Sequence, residues 1–465
     1  GSFYFARNSD FIQSNRVLQR VASISLNDGQ TRFTIWHMAF QGVLERPILG
    51  WGQEGFNYVF NKYYDPSLYR QEAWFDRAHN AFIDWLTAGG VPAFLFYIAL
   101  FGSAIALLWK SSELSRPERI ALTAVLVGYA IHNLFVFDNL YSYIYFFALL
   151  SLIDSQVGRP LKSFEETPTL SSDEGITYAL PIAGIVAGVL IWFVNISGML
   201  AASNLIVAIS PSAAGLSKNL ALFEEFAAHP PFAMQEVREQ LINFAAAVVQ
   251  NSQSTNAEKQ QAISLAISEM QKQVAAYSLD ARERLQLAYA YRIAGDGANA
   301  FKEIQEAVVL SPRKEGMLIE AGATAWDQGN VQMTQKYFTT AYALGPQFTE
   351  LAAYAAAGNI AVGDMAAADK ILLAAYGSLN VENDILAVAY YRTKNWPRLI
   401  AMWKLRADKP NASVDTWFSL AAAYYTAGDK ESAIKTINKA VALYPEAAPA
   451  GASAIAQIEG KSAGR

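Results

Sequence analysis

The sequence predicts an all-α chain, with polytopic transmembrane helices first and an α-solenoid of short repeats after them. Three observations carry that expectation. Long uncharged apolar stretches are confined to the first part of the chain, Gly-Asp pairs recur about every 34 residues in the second part, and only 17% of residues are charged. An ordinary soluble protein has about 25% charged residues, so the deficit points to lipid-facing or alanine-rich helical surface rather than to disorder. A formal net charge of −5 argues against nucleic-acid binding. The absence of cysteine rules out a disulfide scaffold, a thiol nucleophile and a cysteine-based zinc site.

Residues 1–90 read as a loop outside the membrane. They interleave Trp36, Trp51, Tyr58, Tyr63, Tyr64, Tyr69, Trp74 and Phe75 with Arg32, Arg46, Arg70 and Arg77. Aromatic rings suit the headgroup level or stack on sugars, and guanidinium groups bind phosphate. Gly50-Trp-Gly-Gln-Glu-Gly55 matches a dinucleotide-binding pattern by letter, but no strand precedes it and Pro47 is awkward in one. A tight turn is the better reading. His79 stands about 12 residues before the first span, beside Asn80 and with Asp84 further on. On a regular helix these three cannot share one face. A neutral imidazole can take a proton near neutral pH. No metal-ligand spacing and no G-x-S-x-G occurs, so a metal site is not expected.

The next region, 91–153, is expected to hold three transmembrane helices. Val91 to Trp109 is uncharged, and at ~1.5 Å per residue it matches a hydrocarbon core of about 30 Å. Ile120 to Ile153 is interrupted only by Asp138-Asn139, which divides it into Ile120–Phe137 and Leu140–Ile153. His132 and Asp138 are candidates because an ionisable group in a span is a functional candidate by default. A loop at 154–175 and a fourth span at 176–200 follow. Lys110, Arg116 and Arg119 lie in the first inner loop, and Arg159 and Lys162 in the second. Basic loops favour the cytoplasm, so residues 1–90 and everything after Leu200 are expected outside.

Residues 201–280 have apolar residues at helical spacing and read as a helical connector. From 281 to 447 the chain repeats. Gly295-Asp296, Gly329-Asn330 and Gly363-Asp364 are 34 residues apart, and Asn395 and Gly428-Asp429 continue the series. Ala307, Ala341, Ala375, Ala407 and Ala440 keep the same register. The unit Trp417, Leu420, Ala421, Tyr424, Gly428, Ala433, Ile437, Ala440, Pro445 resembles the tetratricopeptide repeat. Its physics is consistent: small residues admit close helix pairing and glycine ends the first helix. Residues 448–465 are read as a tail.

Arg32-Phe-Thr-Ile-Trp36, Pro47-Ile-Leu-Gly50-Trp-Gly52, Phe56 and Ala78-His79-Asn80 leading into Gly89-Gly90 together resemble the O-antigen ligase superfamily over about residues 16–153. That superfamily includes O-antigen ligases, O-antigen polymerases and protein O-glycosyltransferases. The resemblance implies a membrane-embedded glycosyltransferase fold of the C type, present here in part because the family has more spans. The chain is therefore expected to be a C-terminal piece of a longer polypeptide, inactive alone. The implied function is transfer of a glycan from an undecaprenyl-diphosphate donor to an acceptor hydroxyl at the outer face of a bacterial cytoplasmic membrane. Lipid A-core, another surface acceptor or a protein could supply that hydroxyl. His79 would be the base or acceptor-orienting residue, and Arg32 would hold the diphosphate. Arg77, Arg46, Asn80, His132 and Asp138 are further candidate contacts, and Gly50 and Gly52 would shape the loop. No cofactor is implied, and no metal is required if guanidinium carries the leaving-group charge. Expected partners are the lipid-linked donor, the glycan acceptor, the membrane and a protein bound through the repeats. Two alternatives remain: a non-catalytic membrane-anchored repeat scaffold, and a polymerase of the same superfamily.

Overall fold

The computed structural model describes residues 26–110, 113–157, 171–210 and 215–460, with the single positions 9 and 14. The basic-loop residues Arg159 and Lys162 lie outside the described residues. Every regular element among the described residues is helical. The chain forms two compact units, residues up to Pro312 and residues from Arg313.

The first unit begins with α1 (Leu26–Glu45) and α2 (Phe56–Lys62). Ile35, Met38 and Ala39 recur at helical spacing and pack on Phe56, Phe60, Tyr64, Leu68, Phe75, Ala78 and Ile83. Glu45 closes this small core at the surface by accepting hydrogen bonds from Lys62 Nζ (2.7 Å) and Tyr63 OH (2.6 Å).

Three helices follow: α3 (Ala81–Lys110), α4 (Arg116–Asn133) and α5 (Leu140–Val157). Their shared interior is aromatic, with Tyr97, Phe101, Leu126, Phe146 and Ile153 buried together. Phe101 and Phe146 stack with centroids 4.8 Å apart. Helix α3 breaks at Gly90, whose φ of 69° is left-handed, and resumes through Val91-Pro92. Proline is tolerated there because the first turn of a helix has no donor to lose. The outer surface of the trio is apolar: Leu95, Phe96, Val125, Tyr145 and Phe147 are all exposed.

Next comes α6 (Gly175–Ile209), a 35-residue apolar helix with none of its most apolar window buried. Helices α3 and α6 are the two described helices long and apolar enough to cross a membrane. Helices α4 and α5, expected as spans, are 18 residues each, and α4 carries Arg116, Glu118 and Arg119 in its first turn. Its charged start shortens the apolar part.

The connector holds α7 (Leu216–Ala228), α8 (Met234–Gln250) and α9 (Asn256–Ala276). Phe223, Leu241, Ile242, Ala266 and Met270 form its core. The first repeat hairpin, α10 (Ala281–Ile293) and α11 (Gly297–Leu310), belongs to this unit. It is tied to α2: Asn57 Nδ2 donates to Asp280 Oδ2 (2.7 Å), and Ser311 Oγ donates to the Asn61 carbonyl (3.1 Å).

The second unit is a run of helix pairs: α12 (Glu315–Asp327) with α13 (Val331–Leu344), α14 (Thr349–Ala361) with α15 (Met365–Tyr376), α16 (Asp384–Arg392) with α17 (Trp396–Ala407), and α18 (Val414–Thr426) with α19 (Lys430–Leu443). Beyond Ala447, where the sequence suggested only a tail, α20 (Ala448–Glu459) covers the last hairpin. Ile458 and Ile455 pack there on Ile437 and Ala433, removing an apolar face from water.

One turn recurs in both units. Gly295, Gly329, Gly363 and Gly428 have φ of 76°, 74°, 86° and 90°. The next residue's N–H reaches back to the helix just ended: Asp296 to Tyr291 (2.9 Å), Asn330 to Ala325 (2.9 Å), Asp364 to Asn359 (2.9 Å) and Asp429 to Tyr424 (3.0 Å). This is the Schellman closure. The same Asp or Asn then caps the following helix through its side chain. The fourth turn corrects the register. Lys394, with φ of 58°, occupies the glycine position, and Asn395 is the capping residue.

Candidate functional site

The His79 segment is built by the start of α3. Asn80 Oδ1 accepts from Phe82 N (3.0 Å) and Ile83 N (3.2 Å), the geometry of an N-cap. Asn80 is buried, so its oxygen serves the helix start. Asp84 reaches back from the first turn and accepts from Ala78 N at 2.7 Å. On the other side, Trp36 Nε1 donates to the Ala78 carbonyl at 2.9 Å. Ala81 N donates to the Val136 carbonyl at 3.0 Å, which ties the segment to the turn after α4.

His79 itself is not helical. Its φ is 54°, left-handed for a residue with a Cβ. Beside it, the Asp84 carboxylate reaches the N–H of Ala78, the residue before His79. The imidazole lies edge-on between Phe75 and Phe137, with ring centroids 5.7 and 5.3 Å away. Burial holds its pKa below the usual value of 6.5, and the Arg32 guanidinium nearby adds to that effect, while Glu72 opposes it. The ring is therefore neutral and able to accept a proton at neutral pH. Arg32 is partly buried and makes no hydrogen bond or ion pair to another described residue.

The glycine turn abuts the same helix. Trp51 N and Gly52 N donate to the carbonyls of Thr87 and Ala88, each at 2.9 Å, and Val91 N donates to Pro47 O at 2.8 Å. A Cβ on Gly50 would stand 2.5 Å from both carbonyl oxygens, and one on Gly90 would stand 2.4 Å from Ile48 O. Gly52, with φ of 88°, meets open space. The turn docks on the break in α3 and carries no strand.

Of the other arginines, Arg46 stacks on Trp51 with its guanidinium carbon 4.0 Å from the ring centre. Arg77 pairs with Glu54. Both are already partnered, whereas Arg32 has no hydrogen bond or ion pair among the described residues. Arg77 also lines a small polar cleft with Gln53, Asp84, Trp85, Asp138 and Tyr143.

Asp138 is a polar junction of the three helices. It accepts from Tyr97 OH of α3 (2.6 Å), Tyr129 OH and Asn133 Nδ2 of α4, and Ser142 Oγ of α5. His132 is exposed in the last turn of α4, and no described contact brings it to His79. Sequence reasoning did not single out Trp36, Asp84, Tyr97 and Tyr129 in these roles. The available signal is the acidic residue five positions past the histidine, which helical spacing places on another face but which meets the N–H of the residue before His79 because His79 is not helical.

Among the described residues, no group of three His, Asp or Glu side chains could hold a metal ion. In the second unit, Val388, Tyr391, Leu399, Trp403, Ala422 and Ala423 line an apolar groove between α16, α17 and α18.

Residues 2–98 match the family model described as O-antigen ligase. The matched stretch contains Arg32, Arg46, Gly50, Gly52, Arg77, His79 and Asn80, and ends before His132 and Asp138. No curated protein matches the chain. Two solved structures are similar at low identity. One is the anaphase-promoting-complex hetero-tetramer Cut9-Hcn1, at 14% identity over 99% of this chain and 80% of that one, with a TM-score of 0.31. The other is yeast Tom70, at 13% identity over 94% and 98%, with a TM-score of 0.30.

Proposed function

We propose that this chain, of O-antigen-ligase type over residues 2–98, takes part in moving a glycan from a polyprenyl-diphosphate donor to an acceptor hydroxyl at a membrane face. The observation that carries the reading is Arg32 standing unpaired among the described residues beside a partly buried, neutral His79. The acceptor hydroxyl gives its proton to the free imidazole nitrogen as its oxygen attacks the anomeric carbon. The bond from that carbon to the diphosphate oxygen breaks, and the diphosphate leaves with the electron pair. Arg32 offsets the charge that develops on it. Direct displacement of this kind inverts the anomeric centre.

In cells carrying the full-length gene product, His79→Ala and Arg32→Ala are each expected to lower transfer at least ~100-fold while the protein stays membrane-inserted. The check is glycan transfer to a defined acceptor. Transfer at the parent level by either variant sinks the assignment. The His79 pKa is lowered, so the neutral base persists below pH 6.5, and the acid limb of the pH–rate profile is expected below that value.

The same reading places α3, α4, α5 and α6 as four spans, with the site and the connector on the outer face. The contacts of Asn57 with Asp280 and of Asn61 with Ser311 support it, because they join segments before α3 and after α6. Segments in contact lie on one side, so an even number of crossings separates them. In this cysteine-free chain, a single cysteine at exposed Gln253 is expected to react with an impermeant thiol reagent in intact cells, and one at Glu113 to resist it. The reverse pattern overturns the orientation. The groove over α16–α18 is the proposed seat of a protein partner. Whether the acceptor is a new molecule or another lipid-linked glycan separates a ligase from a polymerase, and the transfer product distinguishes them.

A further inference from the structure

His79 stands between two anchored residues, Ala78 and Asn80. The Ala78 carbonyl, which sets the plane before His79, takes the Trp36 indole N–H at 2.9 Å. The Ala78 N–H is held at 2.7 Å by the Asp84 carboxylate, whose second oxygen is buried and makes no hydrogen bond. On the other side the neighbouring residue is held, because the Asn80 side chain caps α3 and the Asn80 carbonyl accepts from Asp84 N at 2.9 Å. Between these anchors His79 has a φ of 54°, a conformation that residues with a Cβ hold only where their surroundings over-determine it. The contacts come from different elements. Trp36 lies in the middle of α1, 42 residues before Ala78, and Asp84 in the first turn of α3.

We propose that Trp36 and Asp84 are positioning residues that jointly hold the His79 ring between Phe75 and Phe137, facing Arg32, by fixing both polar groups of Ala78. The proposal rests on His79 being the proton acceptor described above. Without either anchor, one of the two peptides that flank Ala78 is free to rotate, His79 relaxes toward an ordinary backbone conformation, and its ring leaves the aromatic slot. A displacement of about 1 Å at a reacting group can cost roughly 100-fold in rate.

The test uses Trp36→Phe, which keeps a ring and removes the N–H, together with Asp84→Ala and Asp84→Asn, all in the full-length membrane protein. Trp36→Phe and Asp84→Ala are expected to lower kcat about 10- to 100-fold, with donor KM changed less than about threefold. Their acid limb is expected to move up toward the ordinary histidine value, because the released ring regains water. The charged groups that act on the ring, Arg32 from α1 and Glu72 from the preceding loop, are unchanged in all three variants. Asp84→Asn retains an oxygen that can accept from Ala78 N and is expected to stay within about threefold of the parent. Asp84→Asn as impaired as Asp84→Ala, or a kcat loss without movement of the acid limb, overturns the proposal. Parent-level kcat in Trp36→Phe also overturns it, leaving the base assignment intact if His79→Ala is inactive. Transfer by His79→Ala instead removes the catalytic reading itself.

Discussion

The turn at His79 and the turns between repeat helices use the same region of backbone space and reach it by opposite means. At Gly295, Gly329, Gly363 and Gly428 the left-handed residue is a glycine, and a Cβ added there meets nothing within 4 Å. Residue type alone selects the conformation, and the closing hydrogen bond comes from the next residue. At His79 the residue type disfavours the conformation, and contacts from α1, the turn after α4 and the first turn of α3 impose it. A turn chosen by its own residue is cheap and can be repeated. A turn imposed by distant contacts is costly, and such cost is characteristic of sites where a side chain must be aimed.

The contrast can be broken most severely at Gly50 and Gly90. Their added Cβ atoms would meet backbone carbonyl oxygens that cannot move aside. Gly50→Ala and Gly90→Ala are each expected to cost more than about 3 kcal/mol, read as thermal unfolding of the detergent-solubilised protein. A loss under ~1 kcal/mol would mean that the turn does not dock on α3 as described.

An intermediate effect is expected at His79. His79→Val places a β-branched residue at positive φ and is expected to cost about 2 kcal/mol, whereas His79→Gly relieves the conformation and stays within about 1 kcal/mol of the parent. Both are expected to abolish transfer, which would separate stability from activity at this position. Equal stabilities of the two variants would show that φ is not constrained there.

The smallest effect belongs to the repeats. Gly363→Ala is expected to cost about 1 kcal/mol through backbone conformation alone, since the added methyl group has open space. Lys394→Gly, at the one repeat turn without glycine, is expected to gain up to about 1 kcal/mol. Destabilisation by Lys394→Gly would show that the lysine side chain contributes more than its backbone costs.

Much of the architecture was legible because its signals are local and periodic. Gly295-Asp296, Gly329-Asn330, Gly363-Asp364 and Gly428-Asp429 announce a helix end and a cap in two adjacent letters. The register slipped only at Lys394-Asn395, where glycine's marker is missing. The apolar runs gave α3 and α6, while the run Ile120–Phe137 continues past the end of its helix at Asn133. Arg32, Gly50 and His79 were visible as candidates because each belongs to an ordered pattern beside a span.

The sequence by itself determined that the chain is helical, where its repeats turn, which segments are apolar enough for lipid, and that His79-Asn80 stands at the head of the first such segment. These properties depend on residues within one or two helical turns of each other. Only the tertiary structure decided that Asn80 is a cap, that Asp138 joins Tyr97, Tyr129 and Ser142, and that Arg46 and Arg77 are already paired while Arg32 has no partner among the described residues. It also decided that His79 is held out of helical geometry by Trp36 and Asp84. Several of these outcomes depend on contacts between segments about 40 residues apart. Packing brings such groups together, and no spacing in the chain encodes it.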